Sequence, residues 1–432
     1  YWYHAHSNVQ EQEGVYGSLV VKPKGNGHIK ADRDYVILLS DFSEEDGHEI
    51  LDNLKMSSDY YQFDRRTLSD FFSDVDKYGF SAAWKNATDW GEMRMLPTDL
   101  SDVTGYTFLM NGKSPEQNWT GLFKPGEKLR LRFINASAMS IYDVRIPGLK
   151  MTVVEVDGQP VEPVSIDEFR FGVAETYDVI VEPKEDQAYT IAAEPIDRTG
   201  FALGRLDPRE GMKGETPKQR PRALLTMADM GMGHMHHGKM NHSKMTAGDM
   251  KLMHRNMQSG WTETGAPSGS TMLKYEDLRF YGTQKDSRPP ERTIEMILGG
   301  NMDRYIWTMN GQKFENAKPV RLKYGERVRI KYINETMMAH PIHLHGMFTQ
   351  LENGQPAAKM PNKHTVIVPP GGSVSVILTA DEPGEWAFHC HLIYHMLSGM
   401  MTTAIVSQPG DTIPATKQQS EPARKGEHHH AH

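Results

Sequence analysis

Gly126-Glu127-Lys128-Leu129-Arg130-Leu131-Arg132-Phe133-Ile134-Asn135 recurs as Gly325-Glu326-Arg327-Val328-Arg329-Ile330-Lys331-Tyr332-Ile333-Asn334, and Asn111-Gly112 recurs as Asn310-Gly311, all at an offset of 199 residues. Leu129, Leu131 and Phe133, like Val328, Ile330 and Tyr332, occupy every second position, the pattern of a half-buried strand entered from a Gly-Glu turn. Two copies of one β domain follow. Further strands are expected at Thr152 to Val156, Thr176 to Val181, His364 to Val368 and Ser373 to Leu378. Short strands between Gly and Pro turns read as β-sandwiches. Carried forward without gaps, the offset sets Ile141, Val144 and Ile146 of the first copy against His340, His343 and His345 of the second. The earlier copy is therefore expected to be structural, and the later one to hold the chemistry.

That chemistry is written in His389-Cys390-His391-Leu392-Ile393-Tyr394-His395-Met396-Leu397-Ser398-Gly399-Met400, which contains the chain's only cysteine. Side chains alternate along a strand, so His389 and His391 face one way and Cys390 the other. One strand then serves two metal sites. Cys390, His395 and Met400 follow at intervals of five, which lets the chain leave the strand and return an imidazole and a thioether to the thiolate. Such a donor set suits copper better than zinc, iron or a hard cation, and supplies three of the four ligands of a blue electron-transfer centre. In His340-Pro341-Ile342-His343-Leu344-His345, His343 and His345 share a face and His340 is assigned as the fourth ligand. Trp2-Tyr3-His4-Ala5-His6 is a third cluster, with the same His-x-His spacing.

These motifs resemble the multicopper oxidases, and more closely the copper-resistance protein A family of bacterial periplasmic oxidases. The resemblance extends to Gln10-Glu11-Gln12, Ser58-Asp59-Tyr60-Tyr61, Trp90-Gly91-Glu92-Met93-Arg94-Met95 and Asn118-Trp119-Thr120-Gly121-Leu122-Phe123. It implies an all-β fold of tandem cupredoxin-like Greek-key sandwiches. It implies four coppers: one type 1 held by His340, Cys390, His395 and Met400, one type 2 with His343, and two type 3 with His4, His6, His345, His389 and His391. The family pattern has a further His-x-His motif ahead of Trp2 that this sequence does not contain. The chain is thus expected to hold six of eight trinuclear ligands and, alone, to reduce little oxygen. The resemblance also implies a periplasmic location, dioxygen as substrate, phenols as further substrates and copper-handling proteins as partners; Cu(I) is expected as the donor, because a methionine tract and Met337, Met338, Met396 and Met401 beside the ligand motifs could pass it on. Two alternatives stay open: a laccase-like phenol oxidase, and a copper-sequestering protein without turnover.

A formal charge of -8 without a basic cluster argues against nucleic acid as a partner. No apolar run approaches the ~20 residues of a membrane-spanning helix. The expected organisation is a first-domain remnant over 1–28, a second domain over 33–205, a Met/His-rich linker or lid over 206–289, a third domain over 290–408 and a disordered tail over 409–432. Between Asp46 and Asp102, Leu51, Leu54, Tyr61, Phe71 and Phe72 among many charges read as one or two amphipathic helices packed on the second domain. From Met227 to Met257, methionines alternate with His234, His236, His237 and His242. Thioethers bind Cu(I) and never protonate, so this tract reads as a cuprous-ion gatherer.

Overall fold

The computed structural model describes residues 1–22, 29–63, 65–93, 95–231 and 246–408. The two repeats form two sandwiches with the same strand order. In the first, a six-stranded sheet runs Thr107–Met110, Arg33–Phe42, Leu129–Asn135, Thr176–Val181, Met151–Val156, Gln159–Ile166. Its five-stranded partner runs Glu168–Phe171, Tyr142–Arg145, Tyr189–Pro195, Ala202–Asp207, Trp119–Leu122. The second sandwich repeats this with Ile306–Met309, Arg292–Asn301, Arg327–Asn334, Ser373–Thr379, Thr349–Leu351, Asn362–Lys363 against Thr365–Val368, His340–Leu344, Gly384–Cys390, Met401–Ser407, Val320–Lys323. The equivalent of the histidine-bearing His340–Leu344 strand is Tyr142–Arg145, around which Ile141, Val144 and Ile146 are buried apolar residues.

The repeated Asn-Gly pair explains part of the shared geometry. Asn111 and Asn310 both have φ 52°, and the glycines that follow have φ of 72° and 71°, the left-handed conformations that a two-residue hairpin turn demands. In each copy the Asn carboxamide oxygen also accepts a hydrogen bond from the neighbouring strand, from Leu38 N or Ile297 N, at 2.8 Å. The alternating residues of both repeats point into the core as expected. Their polar neighbours are more covered than a half-buried strand requires, because Arg130 and Arg132 both reach Asp178 across the sheet.

Three helices, rather than one or two, decorate the first sandwich: Gly47–Met56, Leu68–Tyr78 and Phe80–Met93. The first is capped by Asp46, which accepts from His48 N at 2.8 Å, and buries Ile50, Leu51 and Leu54. Each such aliphatic side chain contributes ~1.5–3 kcal/mol on full burial. Tyr61 is also buried, whereas Phe72 is 63% exposed and the Leu68–Tyr78 helix buries no residue. Its aromatic residues meet those of the next helix instead, Phe71 approaching Phe80 and Trp84.

The methionine-rich tract is also more ordered than a linker in its described parts. Ala247–Asn256 is a helix whose start is fixed by a capping box between Thr246 and Asp249, a signal present in the sequence. Leu225, Leu273 and Leu278 are buried, so much of 206–289 packs on the sandwiches. His234, His236, His237 and His242, and the C-terminal His428, His429, His430 and His432, lie outside the described residues. Among the described residues no helix is long and apolar enough to cross a membrane.

Candidate metal centres

The Gly384–Cys390 strand pairs with His340–Leu344 in a register that sets Ile342 against Cys390 and His343 against His389. Strand alternation then separates the two chemistries. Cys390, fully buried, turns toward His340 and His395, with Sγ 3.7 and 3.8 Å from their Nδ1 atoms and those two nitrogens 3.1 Å apart. A trigonal metal with bonds of about 2.0 Å to nitrogen and 2.3 Å to sulfur would need ligand edges of roughly 3.5–3.7 Å. The three donors fit such an ion. After Cys390 the chain makes the short Ile393–Leu397 helix that carries His395. Gly399, at φ 121°, then lets it double back, since a Cβ there would lie 2.6 Å from the Trp307 carbonyl oxygen. Met400 is returned fully buried, its N–H donating to His395 O at 2.9 Å and its carbonyl accepting from Cys390 N at 3.0 Å.

The outer nitrogens of both histidines are occupied. Nε2 of His340 lies 2.8 Å from the Thr336 hydroxyl, and Nε2 of His395 lies 2.6 Å from the Asp102 carboxylate. The partner of Nε2 orients each ring and leaves Nδ1 as the nitrogen that could bind a metal. Trp307 stacks on His395 at 3.8 Å between centroids. Asp102 also accepts from Tyr305 Oη at 2.6 Å and is 2% exposed. Nothing in the sequence pointed to it, because 293 residues separate it from His395.

On the other face, the six imidazoles of the three motifs converge, and the ring of His364 stands 5.0 Å from that of His343. His6, His345 and His389 form one group with ligand atoms within 4.8 Å of one another, and His4 and His391 join Glu11 in a second. His343 lies beside both, with ring centroids 4.8 Å from His345 and 5.5 Å from His391. Burial holds His343, His389 and His391 well below the ordinary histidine value and brings His6 and His345 down to about 4. These rings are neutral at physiological pH, as metal ligands must be. Nε2 of His391 is buried without a hydrogen-bond partner. Such an orphaned polar atom is costly unless a ligand satisfies it, and a soft or borderline cation does so.

Glu11 is a second residue that motif reading missed. It is 2% exposed, its Oε2 lies 2.8 Å from His4 Nδ1 and its Oε1 3.7 Å from His391 Nδ1. Burial raises its carboxyl above the usual range. The Gln10-Glu11-Gln12 string was legible only as part of a family resemblance, without a role.

Comparisons with known proteins agree with this architecture. Two family models, both described as multicopper oxidase, match residues 33–207 and 287–410. Copper resistance protein A of Escherichia coli is 47% identical over 94% of this chain and 77% of its own length. The copper resistance protein A homolog of Pseudomonas syringae pv. tomato is also 47% identical, with the same coverage. Among solved structures, Fet3p, a multicopper oxidase that functions in iron import, superposes with a TM-score of 0.64 at 17% identity, over 94% of this chain and 72% of that one. The multicopper oxidase of Campylobacter jejuni, a metallo-oxidase, gives 0.57 at 17% identity, over 95% and 72%. The tandem sandwiches are accordingly cupredoxin-like.

Proposed function

We propose that this chain, which belongs to the multicopper oxidase family, is a copper-tolerance oxidase that converts Cu(I) to Cu(II) and dioxygen to water. His340, Cys390, His395 and Met400 would hold the type 1 copper. His343 would serve the type 2 copper, and His4, His6, His345, His389 and His391 the type 3 pair. When bound, copper supplies one-electron exchange at the first centre and four-electron oxygen reduction at the second; four Cu(I), one O2 and four protons give four Cu(II) and two waters. The observation that carries the reading is the placement of Cys390 between His389 and His391, which joins the two centres through a few covalent bonds of one strand.

Several features favour Cu(I) as donor. Met227 and Met230 pack in one cluster with Met93, Met95 and Met337, and Met337 precedes His340 by three residues. Met250 and Met257 lie on the Ala247–Asn256 helix and at its end, 52% and 43% exposed, where core packing does not explain them. Met227, Met337 and Met338, at 6%, 5% and 3% exposed, all belong to the core, so the exposed methionines are the ones that favour the reading. Asp102 sets a buried carboxylate against His395, a negative charge that favours a cation at the adjoining centre. The copper resistance proteins at 47% identity favour a role in copper tolerance, in the periplasm, beside other copper-handling proteins.

Oxygen uptake tests this. The copper-loaded chain, alone and extended upstream by a segment bearing a His-x-His motif, is given Cu(I) or a small phenol. The extended protein is expected to consume one O2 per four Cu(I), and the chain alone very little. Tight copper binding with no uptake from either donor would establish sequestration, and phenol turnover exceeding that of Cu(I) a laccase-like enzyme.

Asp102 gives a separate prediction. Its carboxylate favours the more positive, oxidised state of the centre it adjoins, so Asp102→Asn raises the midpoint potential while keeping an acceptor for His395. The shift expected in a redox titration is tens of millivolts, about 59 mV corresponding to tenfold in a one-electron equilibrium. An unchanged or lowered potential would contradict it.

A further inference from the structure

Between the two sandwiches lies a buried charge cluster that the chemistry above does not use. Lys363 is 0% exposed, with Nζ 3.1 Å from Asp157 Oδ2 and 3.0 Å from Glu175 Oε1, on carboxylates that are also 0% exposed. The rings of Tyr177 and Tyr275 lie 5.2 and 5.6 Å from the ammonium. Tyr275 Oη donates to Glu175 Oε1 at 2.6 Å, and Gly172 N to Oε2 at 2.8 Å. Asp157 and Glu175 come from the first sandwich, Lys363 from the second. Burying three charges is expensive, and apolar replacements of such clusters are often as stable. Stability alone therefore does not account for this one.

The remaining bonds of Asp157 lead to the imidazole cluster. Its Oδ1 accepts from Thr176 N at 3.0 Å, and its Oδ2 from His364 N at 3.1 Å and Thr365 N at 3.2 Å. Those last two amides stand at the start of the Thr365–Val368 strand, which pairs with His340–Leu344. From there the His364 carbonyl accepts from His343 Nδ1 at 2.8 Å, and the Thr365 hydroxyl lies 3.0 Å from the same nitrogen. A proton held at Nδ1 leaves Nε2 as the only ring nitrogen of His343 able to bind a metal.

We propose that Asp157, neutralised by Lys363 and backed by Glu175, is a positioning residue that sets the tautomer and orientation of His343 from the opposite sandwich. The metal-free sandwich thus acts on the metal centre through one carboxylate, two amides and a carbonyl. The importance of this for copper rests on the reading of His343 as a ligand. The tautomer itself does not, and it is measurable without copper.

The test uses two double variants of the full chain. Asp157→Ala with Lys363→Met removes the acceptor without leaving an unpaired buried ammonium, and Asp157→Asn with Lys363→Met restores a neutral acceptor. Long-range proton–nitrogen NMR of the copper-free proteins reads the His343 tautomer, and the blue band of the Cys390 centre after loading reports that each variant is folded. The wild type and the Asn/Met variant are expected to hold a single Nδ1–H form, and the Ala/Met variant a mixture. Copper affinity at the imidazole cluster should then fall ~10–100-fold in the Ala/Met variant alone, the usual effect of losing a group that orients a ligand. An unmixed tautomer in the Ala/Met variant, or equal mixing in both, overturns the proposal. A mixed tautomer with unchanged copper affinity would uphold the positioning and remove His343 from the ligand set.

Discussion

Cys390→Ser is expected to abolish the intense absorption at ~600 nm that a trigonal His2Cys copper centre with a weak axial ligand gives. The band is a thiolate-to-Cu(II) transition, so it requires sulfur at this position. Cys390 is fully buried and burial pushes its thiol up, so a cation beside it is what favours the thiolate. Serine is close in shape, but its hydroxyl is a poor soft-metal ligand and ionises far less readily. The fold should survive, since the strand keeps its register with His340–Leu344 and Met401–Ser407. Optical titration with Cu(II), with circular dichroism as a control for folding, measures both. A band retained at full strength would falsify the assignment of Cys390.

His395→Ala and Met400→Leu are expected to diverge sharply. The first removes one of three close donors, opens a cavity against Trp307 and leaves Asp102 buried without its imidazole partner. Loss of the centre is the predicted result. Leucine at 400 preserves volume in a fully buried position, a change that usually costs less than ~1.5 kcal/mol. Both backbone bonds that tie residue 400 to Cys390 and His395 remain. A weak axial thioether tunes potential more than it holds the ion, so Met400→Leu should stay blue with a raised midpoint potential. Equal copper loss in the two variants would place the axial ligand elsewhere.

Both expectations were legible because the candidate ligands sit in short strings whose spacing maps directly onto a strand. A period of two puts His389 and Cys390 on opposite faces wherever the strand lies, and the same rule places His4 with His6 and His343 with His345. The Asn-Gly turns and the alternating Leu129 to Phe133 and Val328 to Tyr332 are equally local, and the two sandwiches follow from them. The helix at Ala247–Asn256 was overlooked although its capping pair Thr246 and Asp249 is local too; the methionines around it masked the pattern.

The sequence by itself therefore determined the kind of fold and which candidate donors share a strand face, since these depend on residue type and on neighbours a few positions away. The tertiary structure alone decided what surrounds those donors. Asp102 reaches His395 across 293 residues, Tyr394 reaches Gln12 across 382 and Asp157 reaches the His364 amide across 207. No spacing rule connects such pairs. Their meeting is fixed by how two sandwiches and a decorating set of helices pack against one another, and that is set by the summed burial of many apolar side chains rather than by any motif.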